Sequence, residues 1–107
     1  MRRYKLRKRY GHAGRAGTVD KHMVEELDLY AENEHALYAQ KEAILAYVRN
    51  KLETGKYDHA RAPKLWGYWV KAAADRYSKE FPGIVINKAT RDALAQELAD
   101  RYRNGEE

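Results

Sequence analysis

The sequence predicts an all-α protein, a small bundle of three to four helices preceded by a flexible basic N-terminal arm. The chain has 107 residues, which is the size of one small domain. From position 18 onward its apolar residues recur at intervals of three and four, as in amphipathic helices, and only one short run has the β-branched character of a strand. We therefore divide the chain into an arm, residues 1–17, and a helical domain, residues 18–107.

The arm is set apart by its charge. Residues 1–17 contain seven Lys or Arg and no acid, whereas residues 18–107 contain 14 basic and 16 acidic residues. The net charge of +5 is thus the sum of a strongly cationic arm and a faintly acidic body, an asymmetry typical of an interaction tail. Three glycines between positions 11 and 17 disfavour a helix, and repulsion among the cations favours an extended arm.

A long helical segment follows the arm. Residues 18–54 contain neither Gly nor Pro. Thr18 or Asp20 is the expected N-cap, and Gly55 is placed where a left-handed residue would end the helix. Because Asn33 lies in the weakest part of the pattern, we expect a kink or a break there. The apolar positions at helical spacing are Met23, Leu27, Tyr30, Leu37, Ile44, Val48 and Leu52.

The next segment has the most hydrophobic face and predicts the core helix. Asp58 is a good N-cap, and Pro63 suits a first helical turn, so a separate turn over 58–62 can precede the helix. Gly67 is expected to let a neighbouring helix approach between two core tryptophans, and the Pro-Gly pair at 82–83 ends the helix. The predicted core face comprises Leu65, Trp66, Trp69, Val70, Ala73, Tyr77 and Phe81.

The C-terminal part predicts a connector and a last helix. The β-branched run 84–86 has no second convincing strand to pair with, so an extended connector is favoured over a strand that pairs with another subunit. Asn87 or Thr90 is the expected N-cap of the last helix, which ends before Gly105. Its apolar face comprises Ala93, Leu94, Leu98 and Tyr102. Most tyrosines of the body are expected to cover the core.

The arm carries the predicted functional site. Six cations lie within the first nine residues, with tyrosines among them. Such segments contact phosphates and stack on bases, and the planar guanidinium of arginine favours phosphate. We expect contacts to the phosphate backbone of DNA or RNA without strong sequence preference, because no recognition-helix, RNA-module or zinc-finger pattern accompanies the arm. The predicted nucleic-acid-binding residues are Arg2, Arg3, Tyr4, Lys5, Arg7, Lys8, Arg9, Tyr10 and Arg15.

Other binding functions stay open. The protein is alternatively an interaction module that docks on a host or virion protein through the aromatic helix or through residues 84–86. An exposed aromatic surface around Tyr68 would instead favour a homo-oligomer. A solubilising tail, or an arm that contacts an acidic protein or a membrane surface, is a further alternative.

Enzyme and metal chemistry are not predicted. The chain has no cysteine, and it shows no Ser-His-Asp order and no Gly-rich phosphate loop. Glu25, Asp28, Glu32 and His35 line one side of the first helical segment, and Glu32-x-x-His35 has the outline of half a di-iron site. Because the second half is missing, a solvated acidic face is favoured. We expect no catalytic residue, no metal and no cofactor.

The sequence also indicates where in the cell the protein is expected. No stretch approaches the roughly 18 consecutive apolar residues of a membrane span, and the basic start lacks the apolar run of a signal peptide. We therefore expect no membrane span and a cytoplasmic protein.

Part of the body resembles small uncharacterised proteins of bacteriophages and related mobile elements. The likeness extends over most of residues 25–103, and it implies a helical fold and a phage setting in the cytoplasm of a bacterial host. It implies genome binding or packaging as a role for the arm, and it assigns no functional residue. The motifs that carry it are Tyr57-Asp58-His59, Ala62-Pro63-Lys64-Leu65-Trp66-Gly67-Tyr68-Trp69-Val70, Tyr77-Ser78-Lys79-Glu80-Phe81 and Thr90-Arg91.

Overall fold

A computed structural model describes residues 18–106 of the chain. These residues form no strand, and the predicted all-α bundle is confirmed. The arm, with its nine predicted binding residues, lies outside the described range. The helices are α1 (Lys21–Glu32), α2 (His35–Glu53), a 3-10 turn (His59–Arg61), α3 (Ala62–Glu80) and α4 (Lys88–Arg101).

Side-chain caps start α1 and α4, and they also tie the two helices together. Asp20 accepts a hydrogen bond from the amide of Met23 at 3.1 Å, and Asn87 accepts one from the amide of Thr90 at 2.8 Å. The amide of Asp20 donates to Thr90 Oγ1 at 3.0 Å, while Asn87 Nδ2 donates to the carbonyl of Thr18 at 2.8 Å. Each capping segment therefore holds the start of the other helix in place.

The predicted break at Asn33 is confirmed. α1 ends at Glu32, and the side-chain amide of Asn33 donates to the carbonyl of Leu29 at 2.9 Å. Glu34 then has extended backbone angles before α2 begins. At the far end of α2, Gly55 has a φ of +70°, the left-handed conformation that a glycine adopts most easily at a helix end.

α3 is the core helix, and it begins in two steps as predicted. Asp58 accepts from the amide of Ala60 at 3.0 Å, which starts the 3-10 turn. Trp66 and Trp69 are buried, and the indole of Trp69 donates to the carbonyl of Leu37 at 2.8 Å. α3 packs along α4 and also contacts α1 and α2. Leu65 and Phe81, which were expected in the core, are only half-buried.

The expectation for Gly67 is wrong. A Cβ at this position would have no atom of a neighbouring element within 4 Å. The tryptophan rings on either side of it fill the contact with the other helices, so no backbone approaches Gly67 closely.

Exposure divides the tyrosines of the body into two groups. Tyr77 and Tyr102 are buried, as predicted, and the Tyr102 ring lies 5.3 Å from Trp66, centroid to centroid. Tyr47 and Tyr68 are 51% and 67% exposed, so these two are exceptions to the expectation that most tyrosines cover the core. Their helices turn these two rings away from the packed faces.

The connector between α3 and α4 is extended, as predicted. Ile84 and Ile86 are buried, while Val85 between them is 73% exposed. This alternation fits an extended chain that lies on the core with every second side chain inward.

The acidic side of α1 is only partly solvated. Glu25 is exposed, but Asp28 and Glu32 are half-buried in ion pairs with other helices. Asp28 pairs with Arg101 of α4 at 3.1 Å, and Glu32 pairs with Lys41 of α2. These carboxylates therefore hold helices together, which the expectation of a solvated face did not include.

Lys41 is a buried charge. Its side chain is 1% exposed, and its ammonium lies 4.8 Å from the centre of the Tyr102 ring. Burial acts to lower the pKa of Lys41, but the hydrogen bonds with Glu32 and with Tyr102 outweigh it, and the pKa is raised above its usual value. Lys41 is therefore a cation at neutral pH inside the bundle.

Within residues 18–106, no helix combines the length and the apolar character that a bilayer crossing requires.

Candidate nucleic-acid interface

A groove opens where the C-terminal half of α2 faces the 3-10 turn and the start of α3. It encloses about 420 Å³. Three tyrosines line it, Tyr47, Tyr57 and Tyr68, together with four cations, Lys51, Lys56, Arg61 and Lys64. We call it the tyrosine–lysine groove.

Helix ends and helical spacing place these side chains together. The left-handed residue Gly55 ends α2 and lets the chain turn back, so that α3 starts beside α2. Tyr47 and Lys51 are four residues apart on α2, and Lys64 and Tyr68 are four residues apart on α3. Residues at this spacing lie on the same side of a helix. Each wall of the groove therefore presents one tyrosine and one lysine.

The cations of the groove lack ion-pair partners in the described part of the chain, as do five other cations of the body, Lys21, Arg49, Lys79, Arg91 and Arg103. Among residues 18–106, none of the four forms an ion pair. The cations elsewhere in the body that do pair with carboxylates are Lys41, Lys71, Arg76, Lys88 and Arg101. Ion pairs therefore involve five of the ten described Lys or Arg outside the groove and none of the four that line it.

The groove is positive within an acidic body. Asp58 is the single carboxylate among its lining residues, which gives the lining a net charge of +3. The other described residues hold ten Lys or Arg and fourteen Asp or Glu. α3 adds a further positive contribution, since its N-terminal end meets the groove with no acidic residue in its first turn and no side-chain cap.

The three tyrosines differ in what they present. Tyr47 and Tyr68 expose their rings. Tyr57 instead has a buried hydroxyl with no hydrogen-bond partner in the described part of the chain. Burial, with a smaller effect of Tyr47, raises the pKa of Tyr57, so this phenol stays protonated and can donate a hydrogen bond.

A cation also accompanies the ring on the α2 wall. The ammonium of Lys51 lies 5.6 Å from the centre of the Tyr47 ring, within cation–π distance. The ring remains 51% exposed beside this cation. The wall therefore offers an aromatic face and a positive charge to the same ligand.

The site predicted from the sequence and the groove share no residue. The nine predicted residues of the arm lie outside the described range, so the structure neither gathers nor separates them. The sequence does contain a signal for the groove. Between positions 51 and 64 there are four cations and two acids, with tyrosines at 47, 57 and 68.

Metal chemistry finds no support in the described residues. No three His, Asp or Glu side chains of residues 18–106 are placed to hold a metal ion. Glu32 and His35, the outline of half a di-iron site, lie on different helices because the chain breaks between them.

The chain matches no protein-family model, no curated protein and no solved structure.

Proposed function

We propose that the protein binds nucleic acid through its phosphate backbone, without strong sequence preference. The observation that carries this proposal is the tyrosine–lysine groove, where four cations stand without ion pairs on a body that otherwise has surplus acid. A segregated positive surface of this kind attracts polyanions. The exposed tyrosines beside it favour nucleic acid over other polyanions, because bases stack on aromatic rings.

The arm adds charge to the same activity. Residues 1–17 carry seven cations and no acid, and each cation that engages a phosphate strengthens binding and its dependence on salt. The resemblance to phage and mobile-element proteins would give this activity a role in genome binding or packaging.

The packing of the body weakens the main alternative. Docking on a partner protein was expected to use the aromatic helix or residues 84–86, but Trp66 and Trp69 are buried, as are Ile84 and Ile86. These side chains are used by the core. The large apolar side chains that remain exposed in these segments are Val85 and Tyr68, and Tyr68 belongs to the groove.

A salt-titrated binding assay tests the proposal. Fluorescence anisotropy would be measured with labelled single-stranded and duplex DNA and RNA for the full chain, a chain lacking residues 2–15, and the variant K56A/K64A. The variant K21A/K79A removes the same charge from exposed positions outside the groove and serves as its control.

We expect log K to fall linearly with log salt. Each phosphate that a variant no longer neutralises should reduce the slope by roughly 0.7 on single strands and 0.9 on duplexes. K56A/K64A should therefore show a slope smaller by about 1.5 units, the deletion a larger reduction, and K21A/K79A little change. Failure of the full chain to bind any nucleic acid in dilute buffer would contradict the proposal. A stoichiometric protein partner that survives nuclease treatment in a pull-down would favour the interaction module instead.

A further inference from the structure

We infer that the tyrosine–lysine groove accepts unpaired nucleotides, so that the protein prefers single-stranded nucleic acid to duplex. This inference rests on the proposed function and names the form of nucleic acid that the body recognises. It is carried by the exposure of two tyrosine rings and by a lysine one helical turn from each of them.

The exposed rings supply stacking platforms. Tyr47 and Tyr68 come from opposite walls of the groove, and they are 51% and 67% exposed. Unstacked bases of single strands bind to such rings without strong preference for sequence. The bases of a duplex are already stacked on each other and present only their edges, so a duplex cannot use these faces.

The spacing between each exposed ring and its lysine suits the base and the phosphate of a nucleotide. Lys51 lies over the ring of Tyr47, and Lys64 is one helical turn from Tyr68. A base on either ring would bring the phosphate of the same nucleotide or of its neighbour to the adjacent ammonium. Stacking and charge neutralisation then act on one strand together, as in other single-strand binders.

The size and the polar lining of the groove agree with this ligand. Its volume of about 420 Å³ lies in the range of sites for small organic ligands. A duplex could place only its sugar-phosphate backbone against the groove. Its four cations supply positive charge and hydrogen-bond donors for the phosphates of a strand.

The test compares single strands with duplex for variants that lack the rings. Anisotropy titrations would use one oligonucleotide sequence as single-stranded DNA, as single-stranded RNA and as blunt duplex, with the full chain and with Y47A/Y68A. Y47F/Y68F retains both rings. Y38A is the matched control, because Tyr38 is 43% exposed on α2 and lies outside the groove. Thermal unfolding followed by circular dichroism would check that each variant is folded.

We expect the full chain to bind a single strand, of DNA or RNA, more tightly than duplex. Removal of both rings in Y47A/Y68A should weaken single-strand binding about 25-fold or more, about fivefold for each ring, while its duplex binding stays unchanged. Y47F/Y68F and Y38A should bind like the full chain. Equal or tighter duplex binding, or undiminished single-strand binding by folded Y47A/Y68A, would overturn the inference and leave the proposed function intact. Absence of binding to every probe would overturn both.

Discussion

Lys51 lies over the aromatic ring of Tyr47, 5.6 Å from its centre, one turn further along the same helix. The contact leaves the ring half exposed, and Lys51 has no carboxylate partner in the described part of the chain. A ring and a cation side by side match the base and the phosphate of one nucleotide. On the other wall, Lys64 and Tyr68 lie one helical turn apart on α3.

Asp58 offers a way to change the charge of the groove without changing the fold. Its carboxylate caps the 3-10 turn by accepting from the amide of Ala60, and Asn caps as well as Asp. We expect Asp58→Asn to tighten nucleic-acid binding roughly two- to fivefold at low salt, since one exposed charge interaction contributes up to about 1 kcal/mol. The measurement is anisotropy. Asp100→Asn makes the same charge change outside the groove, and an equal increase in affinity from both variants would argue against a local effect.

The hydroxyl of Tyr57 should reduce the stability of the fold. Because it is buried without a partner in residues 18–106, we expect Tyr57→Phe to raise the free energy of unfolding by about 1 kcal/mol. Tyr30→Phe is the comparison, since the Tyr30 hydroxyl donates to Glu80 at 2.8 Å and its removal should lower stability. Urea unfolding checks both effects. A Tyr57→Phe protein that is less stable than the wild type would contradict the expectation.

Three glycines should respond differently to alanine. At Gly67, inside α3, a Cβ meets no neighbour within 4 Å, so Gly67→Ala should stabilise the protein by about 1 kcal/mol. Gly55→Ala should destabilise it by about 1 kcal/mol, because the left-handed backbone, and not space, is limiting. Gly105→Ala should cost more, because its Cβ would also lie 2.7 Å from the side chain of Arg49. Chemical denaturation gives the order, and a destabilised Gly67→Ala would show that α3 is packed differently there.

Alkaline pH should weaken the fold partly through Tyr30. Burial and the hydrogen bond to Glu80 raise the pKa of Tyr30 to about 12, against about 10 in an unfolded chain. The folded protein therefore holds this proton more tightly, and the resulting stability is present below about pH 10 and is lost between about pH 10 and 12. The stability difference between wild type and Tyr30→Phe should shrink over this interval in urea unfolding. A difference that stays constant would contradict the assignment.

The residues that begin and end the helices could be predicted from the sequence. Asp20 and Asn87 cap their helices, and Gly55 ends α2, because each needs only its own neighbours to do so. The burial of Lys41 has no such local signal. It shares a helix face with Leu37 and Leu45, but burying its charge depends on Glu32, which reaches it only because the chain breaks between α1 and α2.

The groove is harder to predict for the same reason. Tyr47 and Tyr68 lie beside the predicted apolar faces, and their exposure depends on how α2 and α3 are rotated in the bundle. The sequence shows four cations against two acids between positions 51 and 64, but it does not show which lysines pair with carboxylates. Only the folded chain shows that these four form no ion pair among the described residues.

Mapping the bound strand on the protein tests the central claim most directly. In a nuclear magnetic resonance titration with a single-stranded oligonucleotide, the account predicts that, within the helical domain, the largest amide shifts fall between residues 47 and 68. Shifts concentrated on α4, or a body that shows none while the oligonucleotide is bound, would contradict it.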